Sequence, residues 1–254
     1  MLQPNTFESK VAATPRLPSD LRVTYLIARR GALESLRDRM TVLMSLFFSL
    51  VLPLILVVAF VVPIRDDPES LRRVLAIYIL IIGLMPASSA IGIASGQFAG
   101  EKEQGNLAPL LASPASNVAI FGGKVLSSVV PCVVFAVVGE LMYLVYLAVF
   151  LGRDGLSQLP VGMALAMVLL VPLIALFASI VASLISSRVR TFNTAQQISG
   201  LVMVPLWGAM IGISFALKGW LALTTMVVVL ALIDLTLTIA SAKTWRREEV
   251  LSKQ

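Results

Sequence analysis

The sequence predicts an all-α integral membrane protein: six transmembrane helices, an amphipathic interfacial helix ahead of the first, and a short cytosolic helix between the second and third. Composition is the first reason. Of 254 residues, 58% are apolar and 13% charged, and the mean hydropathy is +0.93, which leaves too little polar surface for a soluble domain. Segment length is the second. A hydrocarbon core of ~30 Å takes about 20 apolar residues per helix, and runs of that size fall at residues 41–63, 74–97, 124–151, 160–185, 198–217 and 220–241. The alternating short strands of a transmembrane barrel are absent.

Basic residues set the orientation. With both termini in the cytosol, fifteen of the twenty Lys and Arg residues lie inside, in accord with the positive-inside rule. The sequence pI of 9.8 is then explained by a membrane address rather than by nucleic acid, and Arg29, Arg30, Arg37 and Arg39 are placed to meet anionic headgroups. The first apolar run follows some forty mostly polar residues and is too long for the core of a cleavable signal, so it is expected to stay as an anchor.

Residues 1–18 carry Pro4, Pro15 and Pro18 with little apolar content and are expected to form a flexible lead. Ser19 and Asp20 are good N-caps for an amphipathic helix within 19–40. Leu21, Tyr25, Ala28, Ala32 and Leu36 recur on one face, with Arg30, Glu34, Arg37 and Asp38 towards the other. Such a helix would lie along the membrane, either as an anchor only or with a functional role. Residues 41–242 form the six-helix domain and 243–254 a cytosolic tail. Proline stands inside five spans, at Pro53, Pro86, Pro131, Pro172 and Pro205, where each removes a backbone hydrogen bond. Glycines repeat at spacing four in the second span (Gly92, Gly96, Gly100) and the fifth (Gly208, Gly212), a pattern that permits close helix approach; packing within one chain is the default expectation. The outer connections are too short to hold a folded domain.

The loop between the second and third spans is the most distinctive stretch. Glu101, Lys102 and Glu103 alternate in charge and are expected to stay in water, and Gly105 permits a turn of either hand. Asn106 can cap a short helix, with Pro109 in its first turn and Ser113-Pro114 ending it. Leu107, Leu110 and Leu111 then make an apolar knob that needs a cover. Read from the residues alone, an interfacial turn dipping into lipid and a docking helix fit equally well.

Taken in order, Glu101, Lys102, Glu103, Gly105, Leu107, Leu110, Leu111, Ser113 and Pro114 resemble the cytosolic loop of ABC-2 type permeases, and Gly123-Lys124 resembles the Gly-Lys that commonly follows it. Arg37-Asp38-Arg39 ahead of the first span is similar to the lead-in of the sodium-efflux branch. Asn106 and Ala108 depart from the usual Thr and Glu. The resemblance implies a coupling helix at residues 107–112 seated on a separate ABC ATPase subunit, with ATP and Mg bound by that partner and no cofactor on this chain. It also implies a second permease copy or a related permease as partner, export as the direction, and the cytoplasmic membrane of a bacterium or archaeon as the location.

The residues themselves offer no catalytic group. Phe121-Gly122-Gly123-Lys124-Val125 lacks the spacing and the following Ser/Thr of a Walker A loop, and the spans show no nucleophile with a base. The absence of histidine and the single cysteine, Cys132, argue against a metal site. Two acids lie within spans, Glu140 in the third and Asp234 in the sixth. An ionised acid at mid-bilayer costs at least ~2.5 kcal/mol, so each is expected to face protein or water, either on a translocation path or as a polar clamp. Tyr143 is one turn from Glu140 and Thr238 one turn from Asp234, each placed to donate a hydrogen bond. The competing functions are an ion-coupled secondary transporter or channel using these two acids, and a membrane assembly protein that recruits a partner.

Overall fold

The computed structural model describes residues 20–105, 115–159, 161–216 and 220–244, and every regular element among them is helical. In chain order these are α1 (Asp20–Ser35), α2 (Arg39–Ile64), α3 (Pro68–Ser95), α4 (Asn117–Ser157), α5 (Val161–Arg188), α6 (Phe192–Ala216) and α7 (Trp220–Thr244). Among the described residues, four helices are long and apolar enough to cross a membrane: Arg39–Ile64, Asn117–Arg153, Met167–Arg188 and Leu221–Ser241.

Several helices begin before their apolar runs because a polar cap satisfies their first amides. Asp67 accepts from the Glu69 and Ser70 amides, with Pro68 at the first helical position, so α3 starts at 68 rather than 74. The Ser116 hydroxyl accepts from the Ala119 amide, starting α4 at 117 rather than 124. Asp38, in the Arg-Asp-Arg lead-in, caps α2 by accepting from the Thr41 amide at 2.9 Å. α4 breaks from helical geometry at Gly152, whose φ of 67° is left-handed.

α2 is irregular, with π turns at Phe47–Val51 and Val57–Val61 and a closing 3-10 turn at Val62–Ile64. Pro53 has no N–H to offer the Ser49 carbonyl one turn back. Side chains tie this weakened stretch to α4: the Ser49 hydroxyl donates to the Phe135 carbonyl at 2.7 Å, and the Tyr146 hydroxyl donates to the Leu50 carbonyl at 3.2 Å.

α5 is the central helix. In its most apolar stretch 61% is buried, against 28% in each of the other three candidate spans, and it packs against α3, α4, α6 and α7. Leu75, Ile79 and Ile82 of α3, Tyr143 and Leu147 of α4, and Leu170 and Ile174 of α5 fill the core. Outward-facing Leu141, Val145, Leu169, Leu201 and Leu232 remain exposed, an apolar exterior suited to lipid.

The close helix contacts fall on glycines other than the spaced repeats. A Cβ on Gly31 would meet Ser127 Cβ at 2.7 Å, one on Gly123 would meet Ile27 Cβ at 2.7 Å, and one on Gly139 would lie 3.4 Å from Ser49 Cα. Gly92 and Gly96 face Gln196 and Phe192 at 3.7 and 3.8 Å, ordinary contact. Among the described residues nothing lies within 4 Å of a Cβ on Gly100, Gly208 or Gly212, so the expected packing within the chain is not seen for the Gly208 and Gly212 pair of α6 among those residues. α1 crosses the start of α4 through Thr24, Ile27 and Gly31, which leaves Leu21, Tyr25 and Leu36 82%, 63% and 44% exposed.

Candidate functional site

Of the three charged residues that follow α3, Glu103 stays exposed as expected, whereas Glu101 and Lys102 are half-buried; each is bonded into a different helix. α3 continues through a π turn, Gly96–Gly100, into one helical turn, Glu101–Glu103. Within the π turn the Ser186 hydroxyl of α5 is inserted into the backbone ladder. It accepts from the Ala99 amide and donates to the Ser95 carbonyl, both at 2.7 Å, so the opened turn loses no hydrogen bond to its neighbour. Glu101, Lys102 and Glu103 then project in three directions.

Glu101 reaches α4. Its Oε2 accepts from Lys124 Nζ at 2.5 Å, with Lys124 1% and Glu101 30% exposed. Lys124 Nζ also donates to the Gln97 carbonyl at 2.5 Å and lies 4.9 Å from the centre of the Phe98 ring, which stacks on Phe121. A buried ammonium is tolerable only with such partners. Lys102 reaches the end of α5, where its Nζ donates to the Ser187 carbonyl at 2.7 Å and the Val189 carbonyl at 3.2 Å. There a cation meets the negative end of the helix dipole and the carbonyls that the helix leaves unpaired. Glu103 reaches the start of α6, where its Oε1 accepts from the Phe192 amide at 3.0 Å, an anion at the positive end of the dipole.

The turn closes at Gly105, whose φ of 70° is left-handed and whose amide donates to the Lys102 carbonyl at 3.1 Å. Residues 101–105 thus form a polar junction that continues α3 and is bonded to α4, the end of α5 and the start of α6. Leu107, Leu110, Leu111, Ser113 and Pro114, the other candidate docking residues, lie outside the described residues.

Sequence reading named the charged triad but not its partners. Two of the three partners are backbone groups at helix ends, which residue identity does not mark. The third, Lys124, was visible as half of the Gly-Lys pair. The structure separates that pair's roles: Lys124 holds Glu101, while Gly123 gives α1 its seat, with the Thr24 carbonyl only 3.0 Å from an added Cβ.

The two intramembrane acids are not brought together. Glu140 lies in a groove of about 360 Å³ between α3, α4 and α5, walled by Val133, Val137, Leu141, Met167 and Pro172, and Asp234 is not among its described lining residues. Glu140 Oε1 is buried without a hydrogen-bond partner among the described residues and presses on Gly83, 2.7 Å from where a Cβ would stand. Tyr143 does not donate to it. That hydroxyl points to the Leu75 carbonyl of α3 at 3.4 Å, because the ring is drawn into the core. Asp234 is 3% exposed and neither carboxylate oxygen has a partner among the described residues; Thr238 is exposed.

A bundle of apolar-surfaced helices with a polar junction at one end defines a multi-pass membrane protein. The ABC-2 type transporter family model matches residues 22–233, most of the 254-residue chain, and the chain belongs to that family. It is accordingly an ABC transporter permease in its membrane domain. No curated protein matches it.

Proposed function

We propose that the chain is the membrane subunit of an ATP-driven exporter in which α2 to α7 all cross the membrane. In this reading α1 lies at the cytosolic interface as the connecting helix, and residues 107–112 dock on a separate ABC ATPase. The observation that carries the reading is the triad Glu101, Lys102 and Glu103, which bonds the loop to α4, α5 and α6. A seated loop so attached would turn ATPase closure into rigid-body rocking of these helices. α3 and α6, of 28 and 25 residues, are long enough to span with the other four. The Gly208 and Gly212 face of α6, uncovered among the described residues, is suited to a second permease copy, and two copies supply the two docking loops that an ATPase pair requires. ATP and Mg belong to the partner.

Reconstituted with a co-expressed ABC ATPase from the same source, the permease should raise vanadate-sensitive ATP hydrolysis several-fold. Hydrolysis that is indifferent to the permease contradicts the proposal.

The oxygens of Glu140 and Asp234 left unpartnered among the described residues favour a second reading, ion-coupled transport that uses them. If Glu140 is only a polar clamp, Glu140→Gln leaves transport and its ion dependence unchanged. A lost ion dependence in that variant, with gradient-driven and vanadate-insensitive flux, would shift the account to the second reading.

A further inference from the structure

We propose that the cavity between α1, the start of α2, the last turns of α3 and the start of α6 is a recognition site for an organic cation with an apolar body. Its volume is about 580 Å³, within the range of small-molecule sites. The described lining contains three carboxylates, Glu34, Asp38 and Glu101, and no basic side chain. Glu101 is committed to Lys124, whose ammonium also feels the Glu34 charge, so the net negative charge of the lining rests on Glu34 and Asp38, both exposed. The Thr41 hydroxyl, and then the Thr41 amide, bond the Asp38 carboxylate and hold its pKa below the ordinary carboxylate value, which keeps it ionised. Arg37 and Arg39 flank Asp38 in sequence, yet neither lines the cavity.

Beyond the acids, Met44, Phe48 and Met85 form an apolar, polarizable wall that adapts to flat or bulky hydrocarbon. Ser45 lines the same space. Its side chain is 1% exposed and its Oγ has no hydrogen-bond partner among the described residues, an arrangement that is costly in a closed core and that serves a site receiving a ligand with a polar end. An acidic mouth, an apolar wall and an unsatisfied hydroxyl together favour a cation with a hydrocarbon portion and disfavour anions. The proposal deepens the permease reading by naming a substrate class. It rests on that reading for the cavity's access to the cytosol, whereas binding itself needs no ATPase.

The test uses the full-length chain in nanodiscs and two probes of one shape and opposite charge, tetraphenylphosphonium and tetraphenylborate, each measured above empty nanodiscs. The phosphonium should bind saturably and the borate should not. The Glu34→Gln, Asp38→Asn double variant, in which Asn still caps α2, should weaken phosphonium binding roughly tenfold, as expected for two partly screened charge pairs. Glu34→Gln alone, at an exposed position, should show part of that loss. Ser45→Leu, which fills the cavity, should also reduce binding. Equal binding of the borate, or full phosphonium affinity in the double variant, would overturn the proposal. So would loss on Glu140→Gln with the double variant intact, because that places the cation in the membrane groove. None of these outcomes bears on whether the loop docks an ATPase.

Discussion

Replacing Glu101 by alanine should destabilise the protein by about 3 kcal/mol, the low end of the range for a broken buried ion pair, and should uncouple the loop from α4. The low end applies because Glu101 keeps 30% exposure while Lys124 keeps 1%. Most of the cost is the Lys124 ammonium, left in the bundle with the Gln97 carbonyl, the Phe98 ring and the more distant Glu34 charge. Adding Lys124→Met removes that stranded charge, and the double variant should recover most of the thermal stability in detergent, since an apolar replacement of a whole pair is often neutral. Coupling should remain impaired, because the link from loop to α4 is gone. A single variant as stable as wild type would mean that water already solvates Lys124, against its observed burial.

Gly123→Val should detach α1 from α4 at a cost of about 1–3 kcal/mol, the usual cost of overpacking. The new Cβ would stand 2.7 Å from Ile27 Cβ, 2.9 Å from Ile27 Cγ2 and 3.0 Å from the Thr24 carbonyl oxygen, and the last is backbone and cannot turn aside. Its neighbour is the control. A Cβ on Gly122 meets only the Thr24 methyl at 3.9 Å, so Gly122→Ala should be neutral or mildly stabilising through helix propensity. Hydrogen exchange across residues 20–35 reads both. Fast exchange in Gly123→Val with unchanged exchange in Gly122→Ala is the expected pair, and equal protection in the two would show that α1 is not seated where Ile27 and Gly123 meet.

These two sites show what the sequence carried and what it did not. Apolar runs located the helices because burial in lipid or core is a property of many residues at once. Their ends were less legible: Asp67-Pro68 and Ser116 extend α3 and α4 past the apolar windows, since a capped polar turn is helical without being hydrophobic. Gly105 was readable as a turn because a left-handed φ selects glycine. The destinations of Glu101, Lys102 and Glu103 were not, because alternating charges look the same in water as at helix termini. The glycine repeats were legible only in part for a related reason: Gly92 and Gly96 meet α6 within the chain, whereas Gly208 and Gly212 meet none of the described residues, and spacing reveals that a face is flat, not which helix covers it. The tight contacts at Gly31, Gly123 and Gly139 arise from single glycines opposite Ser127, Ile27 and Ser49, pairings that depend on tertiary position.

The central claim, that the segment after this junction carries an ATPase, is tested most directly by co-purification. The detergent-solubilised chain and a co-expressed ABC ATPase from the same source should purify together. The Leu110→Asp, Leu111→Asp double variant should release the ATPase while remaining folded and monodisperse. If wild type retains no ATPase, or the double variant retains it equally well, the loop is not the docking element and the account built on it is wrong.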